Sequence, residues 1–326
     1  MRKIILVFMF AIFNLIAYSQ VIKGTIFDEK TKNTIPYASV YLNGTFVGTT
    51  SDRQGNFELN NPKNSTMPLT ISAIGYYSTT MTHFTSGDSL SIYLKPKDYE
   101  LRETTVKSKS LLRRRKKNLA IFRDEFLGTT PNAKKCMILN VIDITFDYNS
   151  KGDTLKAYAL KPIVVENNAL GYTITYYLDK FEFYMNKETV FFIGNIKFSE
   201  TKTTEGTQML YDDARKQAYL GSKMHFFRSL WNNDLKEQGF FMTNMVGQNL
   251  KMENVVVLDS MNNKYLHYPT RINIWNNDMF TSIYLLKNYV YFDKTGYFDP
   301  SGINWIGNMG EGRIADWLPY EYTVGK

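Results

Sequence analysis

The chain has 326 residues, 44% apolar and 15% aromatic, which is enough to fill more than one core and excludes disorder throughout. A formal charge of +8 raises nucleic acid as a partner, and the exported character read below argues against it. Cys136 is the only cysteine, so no intrachain disulfide forms.

Met1-Arg-Lys3 followed by an apolar run from Ile4 to Ala17 has the layout of a secretory leader. Small residues around Ala17-Tyr-Ser19 place cleavage before Gln20. The alternative, an uncleaved anchor, asks for about 20 apolar residues, more than this run supplies. No cysteine stands at the cleavage point, which argues against a lipoprotein. The expected location is therefore the periplasm or the outer membrane.

From Val21 to Pro96 short alternating runs are punctuated by turn residues. Ile22, Gly24 and Ile26 alternate, as do Leu69, Ile71 and Ala73, and then Leu90, Ile92 and Leu94. Asn43-Gly44 fits a tight hairpin turn after Val40 and Leu42, and Asp52 to Gly55 supplies a second turn before Phe57 and Leu59. Strands at this spacing predict a β-sandwich over residues 20–96. Gly24, Pro36-Tyr-Ala-Ser-Val40, Gly44, Gly48, Thr50-Ser-Asp52, Gly55-Asn-Phe57 and Ile71-Ser-Ala-Ile-Gly-Tyr76 resemble, in order, the carboxypeptidase-regulatory-like domain. That resemblance implies a seven-stranded, transthyretin-like sandwich common in exported proteins of Gram-negative bacteria, and a scaffold rather than a reaction.

Residues 97–110 are polar, and Leu101-Arg-Glu-Thr-Thr-Val106 resembles the segment that often follows such a module; they read as a tether. A helix is predicted over 111–127, where Leu112, Leu119, Phe122 and Phe126 recur at helical spacing. Its apolar stripe should pack on the second domain, and proteolysis between Lys97 and Arg115 should release the sandwich. Arg113, Arg114, Arg115, Lys116 and Lys117 form the densest charge run. They present either a basic face for an anionic lipid surface or acidic partner, or a solvated helix face.

The remainder, residues 111–326, predicts a β-rich antiparallel domain carrying one or two helices. Ile142, Ile144, Phe146 and Tyr148 alternate, as do Tyr172, Ile174, Tyr176 and Leu178. One helix is expected over 211–238, where Met224, Phe227, Trp231 and Leu235 share a face, with Gly221 weakening it. The tail Arg313-Ile-Ala-Asp-Trp-Leu-Pro-Tyr-Glu-Tyr322 is dense enough in rings and charges to dock. Phe126-Leu-Gly128, Asn168-Ala-Leu-Gly-Tyr172 and Ala218-Tyr-Leu-Gly-Ser222 resemble an uncharacterised extension seen behind regulatory-like domains, which implies no activity. The fold class expected for the whole chain is mainly β with minor α.

Chemistry is sparse. The three histidines, His83, His225 and His267, lack partners at zinc-ligand spacing, and Arg228 stands where a second ligand to His225 is needed. No G-x-S-x-G elbow or phosphate-cradling glycine loop occurs, and Cys136 lies among large apolar residues. No catalytic residue, metal ligand or cofactor is assigned. With 23 Tyr, 22 Phe and 4 Trp, recognition by rings is the remaining chemistry, and Trp275 and Trp305 are its candidates. The reading is a non-catalytic interaction or structural protein of the cell envelope, with an envelope protein as partner. A glycan-binding module is the alternative, and a hydrolase whose site is assembled only by the fold is a further one.

Overall fold

A computed structural model describes residues 20–61, 65, 67–82, 84, 89–97, 109–149 and 153–325. The leader (1–19) and nearly all of the tether (97–110) lie outside the described residues.

The chain is mainly β, as expected, and the first seven strands form a sandwich. One sheet has the order β4-β1-β7, built from β1 (Gln20–Asp28), β4 (Asn56–Asn61) and β7 (Ser89–Leu94). The other runs β3-β2-β5-β6, from β2 (Ser39–Leu42), β3 (Gly48–Thr50), β5 (Leu69–Ser72) and β6 (Thr79–Met81). Ile22, Ile26, Val40, Leu59, Leu69, Ile71, Ile92 and Leu94 close the core between them. The turn at Asp52 forms as read: its carboxylate accepts the N–H groups of Gln54 (2.9 Å) and Asn56 (2.8 Å). Asn43-Gly44 turns tightly, with Thr45 N–H donating to Leu42 O at 3.2 Å and Gly44 at φ +75, within a four-residue loop closed where Leu42 N–H donates to Val47 O at 3.0 Å.

Helix α1 (Lys109–Leu127) buries Phe122 and Phe126 as predicted, in a core with Phe146, Tyr176, Phe181 and Phe192. Leu112, expected on the same stripe, is 55% exposed. Leu112 lies outside the core that Phe122 and Phe126 join. A short helix, α2 (Pro131–Lys134), leads into β8 (Cys136–Ile138), β9 (Ile144–Asn149), β10 (Thr154–Ala159), β11 (Ile163–Asn167), β12 (Tyr172–Tyr184) and β13 (Thr189–Glu200). β12 is the spine of this sheet. One edge carries β13 along its length, and the other carries β11 at its start and β10 at its end. Ile142, read as part of a strand, lies in a 3-10 turn before β9 and is 81% exposed.

The single helix expected over 211–238 is two: α3 (Glu205–Tyr219) and α4 (Lys223–Asn232). Gly221 adopts φ +74, a left-handed conformation no helix continues through, and Ser222 then caps α4 by accepting the His225 N–H at 3.2 Å. The break lets α3 place Tyr219 in the core of α1 while α4 drives Phe226, Phe227 and Leu230 into another. Residues 111–326 thus hold two hydrophobic cores. The further core lies under a five-stranded sheet, β15-β14-β18-β19-β21, and a three-stranded one, β16-β17-β20. Their strands are β14 (Phe240–Thr243), β15 (Asn249–Leu250), β16 (Val256–Leu258), β17 (Lys264–Leu266), β18 (Ile272–Asn276), β19 (Met279–Leu285), β20 (Val290–Phe292) and β21 (Ile303–Gly307).

The sandwich packs against the rest of the chain. All four residues of β5 are buried because both faces of its sheet are covered. Leu69 and Ile71 face the sandwich core, while Thr70 meets Asn195 of β13 at 3.5 Å. The 43–46 loop is clasped from two sides. Gly44 N–H donates to Ile196 O (2.8 Å) and Phe198 N–H to Thr45 O (3.1 Å), while Tyr320 N–H donates to Gly44 O (2.9 Å). Phe46 N–H donates to the Glu321 carboxylate at 2.9 Å, so the tail docks as expected.

Candidate ring row and basic helix

The five-stranded sheet alternates as a half-buried sheet must. Phe240, Met242, Ile272, Ile274 and Ile283 point inward to the core. Phe241 on β14, Trp275 on β18 and Phe280 on β19 point the other way, and antiparallel register sets them directly opposite one another across three strands. Phe241 and Trp275 lie with ring centroids 5.9 Å apart and planes within 7°, and Trp275 and Phe280 have centroids 4.6 Å apart. Phe241 is 52% exposed and Phe280 36%. Cross-strand contact among the rings contributes roughly 0.5–1.5 kcal/mol per pair beyond area burial, but the outer side of the row is open. Alongside it stand Thr243, Asn273 and Ser282 in the adjacent cross-strand rank, with Ser282 Oγ donating to Asn273 Oδ1 at 2.9 Å.

Trp305, the other tryptophan singled out, is on the opposite face. It pairs across strands with inward-facing Ile283 and packs on Phe227 (6.2 Å) and Phe298 (5.5 Å). The fold therefore does not bring Trp275 and Trp305 together: Trp305 serves the core. Phe241 and Phe280 went unnoticed in sequence, although their positions in alternating runs beside Trp275 carried the signal.

The basic run divides in two. Arg115 donates to Ile144 O and Val141 O, both at 2.9 Å, and lies over Phe146; Arg114 lies over the Tyr148 ring at 5.7 Å. Those two fasten α1 to the sheet. Arg113, Lys116 and Lys117 are exposed on the far side.

The groups most suited to catalysis are committed elsewhere. His225 is buried, its Nδ1 accepting the Gly221 N–H at 3.1 Å and its Nε2 meeting Gln238 Oε1 at 3.2 Å. Because Nδ1 accepts, the proton sits on Nε2, and burial holds the ring's pKa below its ordinary value. Asp234 reaches it only through Gln238, so no carboxylate orients the ring. Burial pushes the Cys136 thiol up to about 12, which leaves no thiolate at neutral pH. Among the described residues no cluster of His, Cys, Asp and Glu is arranged to hold a metal ion. An open cleft of about 470 Å³ on the sandwich, lined by Lys23, Thr25, Thr50, Asp52, Asn56 and Glu58, is polar and shallow, and Lys23 and Glu58 pair across it at 3.4 Å. No described helix is long and apolar enough to cross a membrane.

Comparison with known proteins bears on the N-terminal part. A family model described as CarboxypepD_reg-like domain matches residues 22–106, so the match runs through the segment read as tether to Val106. No curated protein matches the chain. A solved structure of a protein of unknown function from Bacteroides fragilis aligns over 88% of this chain and 94% of its own, at 11% identity and a TM-score of 0.18.

Proposed function

From a chain that carries a CarboxypepD_reg-like domain, a non-catalytic regulatory-type fold, we propose a non-catalytic interaction protein of the bacterial cell envelope whose contact surface is the Phe241-Trp275-Phe280 row. The observation that carries it is the open row itself, three rings in register on the solvent face of a sheet whose opposite face already fills a core. Large rings make most of the binding energy at protein interfaces when a partner covers them. Residues 1–19 support export, and the commitment of His225 and Cys136 to internal contacts supports a role without catalysis.

A second reading, a glycan-binding module, draws on the same rings, which offer stacking faces to sugars, with half-buried Asn273 beside them. Cross-linking to envelope extracts and retardation in polysaccharide gels distinguish the two, each run with Trp275→Ala and with Lys202→Gln, at an exposed position away from the row, as a surface control. A protein adduct lost only in Trp275→Ala supports the first reading, and a polymer shift lost only in that variant supports the second. Adducts and shifts unchanged in Trp275→Ala remove the row from both.

A further inference from the structure

We infer that the exposed start of α1, with the 3-10 turn that Arg115 ties to it, is a docking surface for an anionic lipid leaflet. On a helix the residues at 111, 112 and 115 lie on one side, as neighbours three and four apart. Arg115 binds Val141 O and Ile144 O and so pins that side to the segment carrying Ile142. Leu111 is 40% exposed, Leu112 55% and Ile142 81%. Arg115 thus fastens the helical turn carrying exposed Leu112 to the segment carrying exposed Ile142.

Charge identifies the occupant. Arg113, Lys116 and Lys117 are exposed next to the leucines, and none of the three forms an ion pair among the described residues. No acidic residue occurs in α1 before Asp124, and its first turn holds none to offset the positive end of the helix dipole. The nearest acid on the adjoining turn, Asp143, is already paired with Lys161 at 3.3 Å and held by Asn140 at 3.1 Å. Aliphatic side chains flanked by uncompensated cations are what a leaflet of anionic headgroups over acyl chains accepts: the apolar groups enter the interface and the long basic chains reach the phosphates. An acidic protein would satisfy the cations and leave Leu112 and Ile142 without apolar cover. This surface is separate from the ring row.

The test is sedimentation of the full chain, and of the chain beginning at Gln20, with vesicles of phosphatidylcholine containing phosphatidylglycerol and with phosphatidylcholine alone. Binding is expected only to the charged vesicles and weakens as salt rises. At about one factor of five per cation, Arg113→Gln, Lys116→Gln and Lys117→Gln together lower partitioning roughly 100-fold. Leu112→Ser and Ile142→Ser each lower it by about tenfold. An unchanged melting temperature shows that these variants remain folded. Equal binding to both vesicle types, or unchanged binding of the triple variant, overturns the inference. So does binding to soluble dextran sulfate as tight as to vesicles with no effect of Leu112→Ser or Ile142→Ser, which would mark a polyanion site.

Discussion

Lys223 shows how far a single residue's environment can depart from its sequence context. It stands at the first position of α4, with its ammonium 5.2 Å from the Trp305 ring centre and the Arg313 guanidinium as a like-charged neighbour. Burial, with Arg313 adding to it, pushes its pKa down from 10.5 to about 8. Between those values the folded chain binds fewer protons than the unfolded one, so this group makes stability rise with pH from about 8 upward. The buried phenols of Tyr41, Tyr176 and Tyr320 have pKa values raised by burial and act oppositely, lowering stability as pH climbs past 10. At neutral pH the charged lysine costs at most about 3–4 kcal/mol at ~1.4 kcal/mol per unit. Lys223→Met is therefore expected to raise the denaturant midpoint at pH 7 and to flatten the gain otherwise seen between pH 8 and 10. A variant whose midpoint falls at pH 7 would show that the ammonium's contact with Trp305 outweighs its desolvation. Nothing in the sequence around residue 223 marks this site, because Trp305 and Arg313 arrive from some 80 to 90 positions away.

At the scale of elements, α1 and the α3–α4 pair show which patterns sequence conveys. Spacing correctly assigns Phe122 and Phe126 to one buried stripe, since helical period depends only on neighbours along the chain. It does not say where the body under the helix ends, and Leu112, on the same stripe, lies outside the core. Phe122→Ala should cost about 3–5 kcal/mol, whereas Leu112→Ala should stay within roughly 0.5 kcal/mol; urea melts of the two variants check the contrast. If they cost the same, the helix is packed along its whole length. Alternation in β12 was equally readable, because its inner face is buried throughout. Gly221 reads in the sequence only as a weak point, because a Cβ there would collide with the Met279 methyl, which comes from 58 positions on. Of the ring row, Trp275 was legible by residue type, but its partners depend on strand register, which is a property of the folded sheet.

Across the whole molecule, the loop at 43–46 sets how the sandwich is joined to the rest. Sequence suggests a tethered module because residues 97–110 are polar, and the loop's turn chemistry looks like an ordinary hairpin. In the fold its backbone is hydrogen-bonded to β13 and to the tail, Tyr41 stacks on Tyr177 at 5.3 Å, and Lys97 pairs with Asp179 at 3.6 Å. Arg228 stiffens the tail from behind, donating to Thr295 O (2.8 Å), Tyr322 O (2.8 Å) and Tyr320 O (3.0 Å). Gly44 occupies φ +75, and a Cβ there would lie 2.5 Å from the Tyr320 ring, so a side chain meets both backbone strain and the clasp. Each backbone bond of the clasp adds a net ~0.5–1.5 kcal/mol, and together with the ring stack they should hold the sandwich after the covalent link is cut. With a specific protease site placed within residues 98–108, the cleaved wild-type pieces are expected to co-elute in size-exclusion chromatography. Gly44→Val should separate them, with the sandwich fragment retaining its own cooperative melt because Gly44 lies outside its core. Tyr320→Ala, which removes the ring but keeps the loop's conformation, should weaken the association to a smaller degree. Separation of the wild-type pieces on cleavage would mean that the covalent segment, and not the clasp, keeps the sandwich in place.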